Sequence, residues 1–208
     1  MTTDAMSRAA GLQRGIRLEY LTVGWNLVEG LVSLIAGLVA GSVALVGFGV
    51  DSWVETSSGA ILLWRLRAER IGGHAESLEK RAVRFVGISF LLLAAYVAWE
   101  ALASLLKHEA PSRSILGIVM AALSLIVMPL LARAKRRTAT ALSSAALQSD
   151  SRQTSICAYL SVILLSGLLL NAIAGWWWAD PVAALIMVPI ILKESYGGLR
   201  GTPCSDCH

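Results

Sequence analysis

The 208 residues are 56% hydrophobic and only 15% charged, with a formal net charge of +4 and a mean hydropathy of +0.65. A water-facing domain carries about 25% charged residues, so this composition excludes a soluble enzyme surface and points to one that faces lipid. The excess of positive charge is no nucleic-acid footprint, because the basic residues fall in short clusters between apolar runs, the pattern that orients membrane proteins.

In chain order, residues 1–17 are polar and rich in small side chains, without the apolar stretch and cleavage site of a signal peptide. They are expected to form a cytoplasmic N-terminal segment. A bilayer core about 30 Å thick takes about 20 apolar residues of helix. Six runs qualify: 18–38, 43–64, 82–106, 115–132, 156–174 with helix-forming residues reaching back towards 139, and 182–192. The last is short. It becomes long enough if Trp176, Trp177 and Trp178 anchor its outer end at the interface and Lys193 and Glu194 sit among the headgroups. Asp180 before Pro181 then reads as its N-cap. The expected fold is an all-α membrane protein, a six-helix transmembrane bundle over 18–193, with a short cytoplasmic tail over 194–208 and no appended domain.

Lys and Arg set the orientation. The N-terminus carries Arg8, Arg14 and Arg17, the second connection Arg65, Arg67, Arg70, Lys80, Arg81 and Arg84, and the fourth Arg133, Lys135, Arg136 and Arg137, with Arg152 just beyond. The first and fifth connections carry none, and the third only Lys107 and Arg113. Rich and poor connections alternate, which places both termini in the cytoplasm. An even number of spans also puts both termini on one side, and the inner cell membrane is the expected location.

Polar residues inside the spans carry the chemistry. Asp51 and Glu55 stand a turn apart on one face of the second helix, with Asp51 roughly 13 Å in from the Gly41–Ser42 turn. A charge near the bilayer centre costs at least about 2.5–3.5 kcal/mol, and two like charges also repel. Either a shared proton or a bound cation relieves them. Carboxylates at this spacing make half a divalent-ion site; the plainer alternative is a shared-proton pair that glues helices together. Asn26 and Glu29 share a face of the first helix, continued by Ser33. They line the same cavity or make interhelical hydrogen bonds. Asn171 reads as packing glue. On the fifth helix Asp150, Gln153, Thr154 and Cys157 fall along one stripe. Depth favours Cys157 or Gln153 as the partner of Asp51, charge favours Asp150, and both remain open. Three cysteines make no disulfide framework.

At these residues the chain resembles the transmembrane domain of the cation diffusion facilitator family. Ala40-Gly41-Ser42-Val43-Ala44-Leu45 leading into Asp51-Ser52-Trp53-Val54-Glu55 is similar to that family's glycine–serine turn and its Asp-x-x-x-Asp metal motif, with Glu55 as the second carboxylate. The family's Ala-Asp-x-x-His-x-x-x-Asp motif on helix five falls on Asp150, with Gln153 at the His and Cys157 at the second Asp. Gly175 to Pro181 resembles the family's Gly-to-Asp-Pro lead into helix six. The resemblance implies a divalent-cation transporter, Zn²⁺ efflux by metal–proton exchange, with metal at Asp51, Glu55, Asp150, Gln153 and Cys157. The alternative is a membrane metal sensor or buffer that binds without transport. It implies no permanently bound cofactor, and as partners the bilayer, a divalent metal ion, protons and a second copy in a homodimer, with no nucleic acid. The helix-five departure puts a neutral amide and a thiol where the family has His and Asp. The family's cytoplasmic C-terminal domain has no counterpart in this sequence, so the match is to a short branch. The tail Cys204-Ser205-Asp206-Cys207-His208 offers two thiols and an imidazole suited to Zn²⁺ or Cu⁺. His74 and His108 lie in loops and take no role. No nucleophile motif or His-Glu-x-x-His occurs, so the expectation is a transporter and not an enzyme.

Overall fold

The computed structural model describes residues 2–70, 76–109 and 111–200. They form six helices: α1 Thr2–Ala40, α2 Val43–Arg70, α3 Glu76–Lys107, α4 Ile115–Leu142, α5 Ala145–Ala174 and α6 Ala179–Arg200. No strand occurs among the described residues. Most of the helices outrun the apolar segments that predict them. The 39 residues of α1 span about 58 Å at helical rise, so residues 2–17 continue that helix.

Local chemistry explains the breaks. Gly41 takes a left-handed φ of 67°, which glycine adopts without steric cost. Ser42 then caps α2, its Oγ accepting from Leu45 N at 3.1 Å. Ser114 caps α4 by accepting from Gly117 N at 3.1 Å. Ser143 ends α4 in the left-handed region, and Ser144 caps α5 by accepting from Leu147 N. The α4–α5 turn is therefore two serines long, which sets the end of α4 beside the start of α5. Gly175, again left-handed, ends α5.

Asp180 corrects its sequence reading. α6 already starts at Ala179, and the Asp180 carboxylate leaves its own helix for the start of α2. It accepts a short hydrogen bond from Ser42 Oγ and a longer one, 3.4 Å, from Ala44 N. The buried N-terminus of α2 has N–H groups without intrahelical partners and the positive end of a helix dipole, so it attracts the anion.

The helices pack as two four-membered rings that share the α2–α5 edge. One ring runs α1, α2, α5, α4, and the other α2, α3, α6, α5. The larger apolar core lies along the shared edge and includes Leu45, Phe48, Leu160, Leu164 and Met187. A smaller one, built on Leu12, Ile16, Leu63, Leu66 and Leu147, closes the first ring at the end where α1 begins and α6 ends. Large apolar side chains point outward, among them Leu38, Trp99, Leu106, Ile115 and Ile173, as a surface against hydrocarbon requires. Among the described residues, four helical stretches are long and apolar enough to cross a bilayer: Ala9–Ala40, Gly87–Lys107, Ile115–Leu142 and Ala146–Ala174. α2 and α6 differ from these: α2 carries Asp51 and Glu55 and is the least apolar helix, whereas the apolar run of α6 is short, bounded by Asp180 and Lys193.

Candidate metal centre

The first ring encloses a column of buried polar side chains. On α1, Glu19, Thr22, Asn26, Glu29 and Ser33 are all essentially unexposed. Their spacing of three and four residues keeps them on one face. Across from them α2 buries Asp51, Ser52 and Glu55. Glu29 stands about 16 Å from Ala40, and Glu55 about 18 Å from Val43, by helical rise. The two carboxylates thus meet near the bilayer centre from separate helices.

Glu29 is the better-held of the two. Ser52 Oγ lies 3.2 Å from Glu29 Oε2 and 3.1 Å from Phe48 O, and its single proton serves one acceptor at a time. Cys157 Sγ is 4.0 Å from the same Glu29 oxygen. Glu29 Oε1 has no hydrogen-bond partner, and neither has either carboxylate oxygen of Glu55. Glu55 faces Cys157 and Thr154 on α5 without completing a bond to either. Asn26, one turn from Glu29, leaves both amide atoms unpartnered, as do the hydroxyls of Ser33 and Ser124. Buried polar groups are nearly always satisfied, which makes the unpartnered atoms of this column the candidates to hold an ion or water.

Helix five divides its residues. Cys157 reaches the column although it stands about 26 Å from the outer end of α5 by helical rise; α5 is tilted or shifted against α1 to bring it there. Gln153 turns to α2, where its Oε1 accepts from Ser58 Oγ at 3.1 Å and its Nε2 has no partner. Asp150 is claimed by a cation of the chain itself. Lys135 Nζ on α4, fully buried, makes a short ion pair with Asp150 Oδ2. It also lies 3.1 Å from Glu19 Oε1 and 3.4 Å from Thr154 Oγ1. A buried ammonium needs such partners, so in this conformation Asp150 serves Lys135.

Glu19 and Lys135 are buried charged residues beside the column that sequence reasoning did not single out. Lys135 belongs to the inward stripe Gly117, Ala121, Ser124, Met128, Ala132, Lys135, Ala139, all buried. The neighbouring Arg133, Arg136 and Arg137 lie off that stripe and are exposed. Counting basic residues per connection merges the two kinds, whereas following the three-and-four spacing separates them. Asn171 does pack as glue, donating from Nδ2 to Pro111 O at 3.0 Å. His108 rests its ring 4.8 Å from that of Trp177. Cys204, Cys207 and His208 lie outside the described residues, as does His74.

Among the described residues no three His, Cys, Asp or Glu side chains lie close enough together to hold one ion in this conformation. Glu29, Glu55 and Cys157 thus line a common space without yet converging on one point. Hard carboxylates and a soft thiol are a donor set suited to Zn²⁺.

The cation efflux transmembrane domain family matches residues 20–201. The cation-efflux pump FieF of Shewanella oneidensis is 26% identical over 176 residues, covering 79% of this chain and 57% of that protein. An uncharacterized transporter of Synechocystis is 28% identical over 176 residues, covering 79% of this chain and 55% of its own length. Transmembrane protein 163 of Xenopus laevis is 24% identical over 186 residues, covering 89% of this chain and 65% of its own. The chain thus spans between half and two thirds of the length of these relatives.

Proposed function

The chain belongs to the cation efflux family, a family of multi-pass membrane transporters rather than enzymes, and from that premise we propose that it exports a divalent cation, Zn²⁺ before others, in exchange for protons. The observation that carries this reading is Glu55: a carboxylate at mid-membrane with both oxygens unpartnered. Asp51 is a turn away, and Glu29 and Cys157 line the same space. Anions so placed repel one another, and a cation of charge two relieves several at once.

The mechanism is alternating access. Asp51 and Glu55 take the ion while the column is open to the cytoplasm, and Cys157 approaches as the helices close on it. Protons arriving from outside then neutralise the carboxylates and release the ion. The convergence that this conformation lacks is the movement that binding requires. The side bearing both termini is the cytoplasmic one, and two layers close it here. One is the apolar cluster of Leu12, Ile16, Leu63 and Leu66. The other is the Glu19–Lys135–Asp150 bridge across α1, α4 and α5. The ion is cargo and not a resident cofactor.

Flux in vesicles reconstituted with the purified chain tests the reading, with Zn²⁺ or Mn²⁺ offered under an imposed pH gradient. Asp51→Ala and Glu55→Ala are each expected to lower Zn²⁺ flux at least tenfold while the protein still inserts and elutes as wild type. Cys157→Ser is expected to weaken Zn²⁺ more than Mn²⁺, because sulfur favours the softer ion. Wild-type flux in the Asp51, Glu55 double variant overturns the site. Metal binding without flux in the wild type would make the protein a sensor or buffer instead.

A further inference from the structure

A second feature of α4 and α5 faces outward. A groove of about 260 Å³ runs along the outer seam of these two helices. Its end nearer the chain termini is polar. There Arg133 and Arg136 stand on α4, and Ser155 on α5 holds the Arg136 guanidinium at 3.4 Å. Its deeper end is apolar, walled by Leu125, Pro129 and Val162, with the small Ala158 as floor. Spacings of three and four residues on both helices keep these side chains along one seam.

Depth fixes what meets each end. From Ile115 to Arg133 α4 rises about 27 Å, and to Arg136 about 32 Å. A hydrocarbon core is about 30 Å thick. The two guanidiniums therefore lie at the headgroup level of the leaflet on the terminal side. Leu125 and Val162 lie within the acyl region below them. The groove thus runs from the headgroup level into the acyl region, and its charge pattern selects among lipids. Two guanidiniums present several N–H donors in fixed forks that match phosphate oxygens. A basic pocket between transmembrane helices above an apolar slot is a recognised arrangement for anionic headgroups.

We propose that the α4–α5 groove is a binding site for one anionic phospholipid, its phosphate on Arg133 and Arg136 and the upper part of one acyl chain along Leu125, Pro129 and Val162. The site lies on the outer face of the two helices whose inner faces carry Lys135, Asp150 and Cys157. A lipid seated there bears on the packing that holds the ion bridge. The proposal needs only that the chain spans a bilayer, and its failure would leave the transport reading where it stands.

The test is lipid retention on the full purified chain, read by native mass spectrometry after extraction from nanodiscs. These hold equal phosphatidylglycerol and phosphatidylcholine. The wild type is expected to retain phosphatidylglycerol at least fivefold over phosphatidylcholine, with one molecule dominating. The Arg133→Gln, Arg136→Gln double variant should lose that preference. Arg137→Gln, an exposed arginine off the groove, should keep it. Val162→Trp crowds the exposed apolar wall without touching charge and should lower retention as well. Arg133→Lys with Arg136→Lys keeps the charge, inserts as wild type and should keep part of the preference. Equal retention of the two lipids by the wild type overturns the proposal, as does an equal loss in Arg137→Gln. Glycerol phosphate displacing the lipid at millimolar concentration would show a headgroup site without a chain and would also overturn it. Disulfide cross-linking of two copies through Tyr159→Cys at the groove mouth would assign the groove to a second copy instead.

Discussion

Lys135 carries a full charge with no exposure to solvent or lipid, and two carboxylates and a hydroxyl share its three protons. Removing one partner of a buried pair leaves the other uncompensated, at about 3–5 kcal/mol. Here the damage is compounded, because Glu19 and Asp150 would then face each other without their cation. Lys135→Met is therefore expected to lower the chain's resistance to thermal unfolding in detergent by about that amount. Adding Glu19→Gln and Asp150→Asn removes the stranded charges and should restore most of the loss, since a buried ion cluster replaced whole is often neutral. The triple variant also separates the two helix-five readings. Retained Zn²⁺ binding makes Asp150 a counter-ion of Lys135, and abolished binding in a stable triple variant makes it a ligand. Depth and charge pointed to different residues in the sequence. In this conformation a lysine fifteen positions earlier in the chain pairs with Asp150, a partner that neither depth nor charge along the sequence reveals.

At the level of helices, α1 and α2 approach more closely than side chains would allow. A Cβ at Gly49 would stand 2.8 Å from Leu34 N and 3.2 Å from Gly30 O. Gly30 in turn has Trp53 at 2.9 Å. Small residues at such crossings let membrane helices pack backbone to backbone. This crossing lies directly beside the Glu29–Ser52 contact. Gly49→Ala cannot be absorbed by a rotamer change, because the nearest atom is backbone. We expect it to separate α1 from α2 by several tenths of an ångström, to destabilise by about 1–3 kcal/mol, and to weaken Zn²⁺ affinity although no ligand changes. Isothermal titration beside a melting curve checks both effects. Unchanged affinity in a destabilised variant would put Glu29 outside the site. All six helices were legible from apolar run lengths, because lipid leaves the backbone no other solution. Their ends were not. The long extensions of α1 and α4 mix polar and basic residues with scattered apolar ones such as Leu12 and Ile16, so hydropathy assigns them to loops while helical periodicity continues through them. Asp180 misled for a related reason. Its own helix offered it a cap position nearby in sequence, while the buried start of α2 offered a stronger one far along the chain.

Across the whole molecule, the polar column has one end sealed. The Leu12–Leu66 cluster and the Glu19–Lys135–Asp150 bridge both lie between Cys157 and the side that carries the termini. If a transported ion reaches Glu55 from that side, the bridge must part first, because Lys135 spans from α4 to α1 and α5 at once. Cys157, buried with 1% exposure, reports on this passage directly. In a Cys204→Ser, Cys207→Ser background it is the remaining thiol of the chain. Its reaction with a small membrane-impermeant reagent, applied separately to each face of sealed vesicles, measures which side is open. The wild type is expected to label slowly from the terminal side, and bridge removal by the Lys135, Glu19, Asp150 triple variant to speed that labelling at least tenfold. Zn²⁺ should slow labelling in both, since an ion held at Glu55 covers the thiol. Orientation is read in intact cells: a cysteine introduced at Arg67, in the basic extension of α2, should be closed to an impermeant reagent applied outside, and reaction from outside would overturn the positive-inside reading. Unchanged Cys157 labelling in a folded triple variant would leave the apolar cluster alone as the closure. Movement of α1 and α2 about the Gly30–Gly49 crossing would then be the motion to measure.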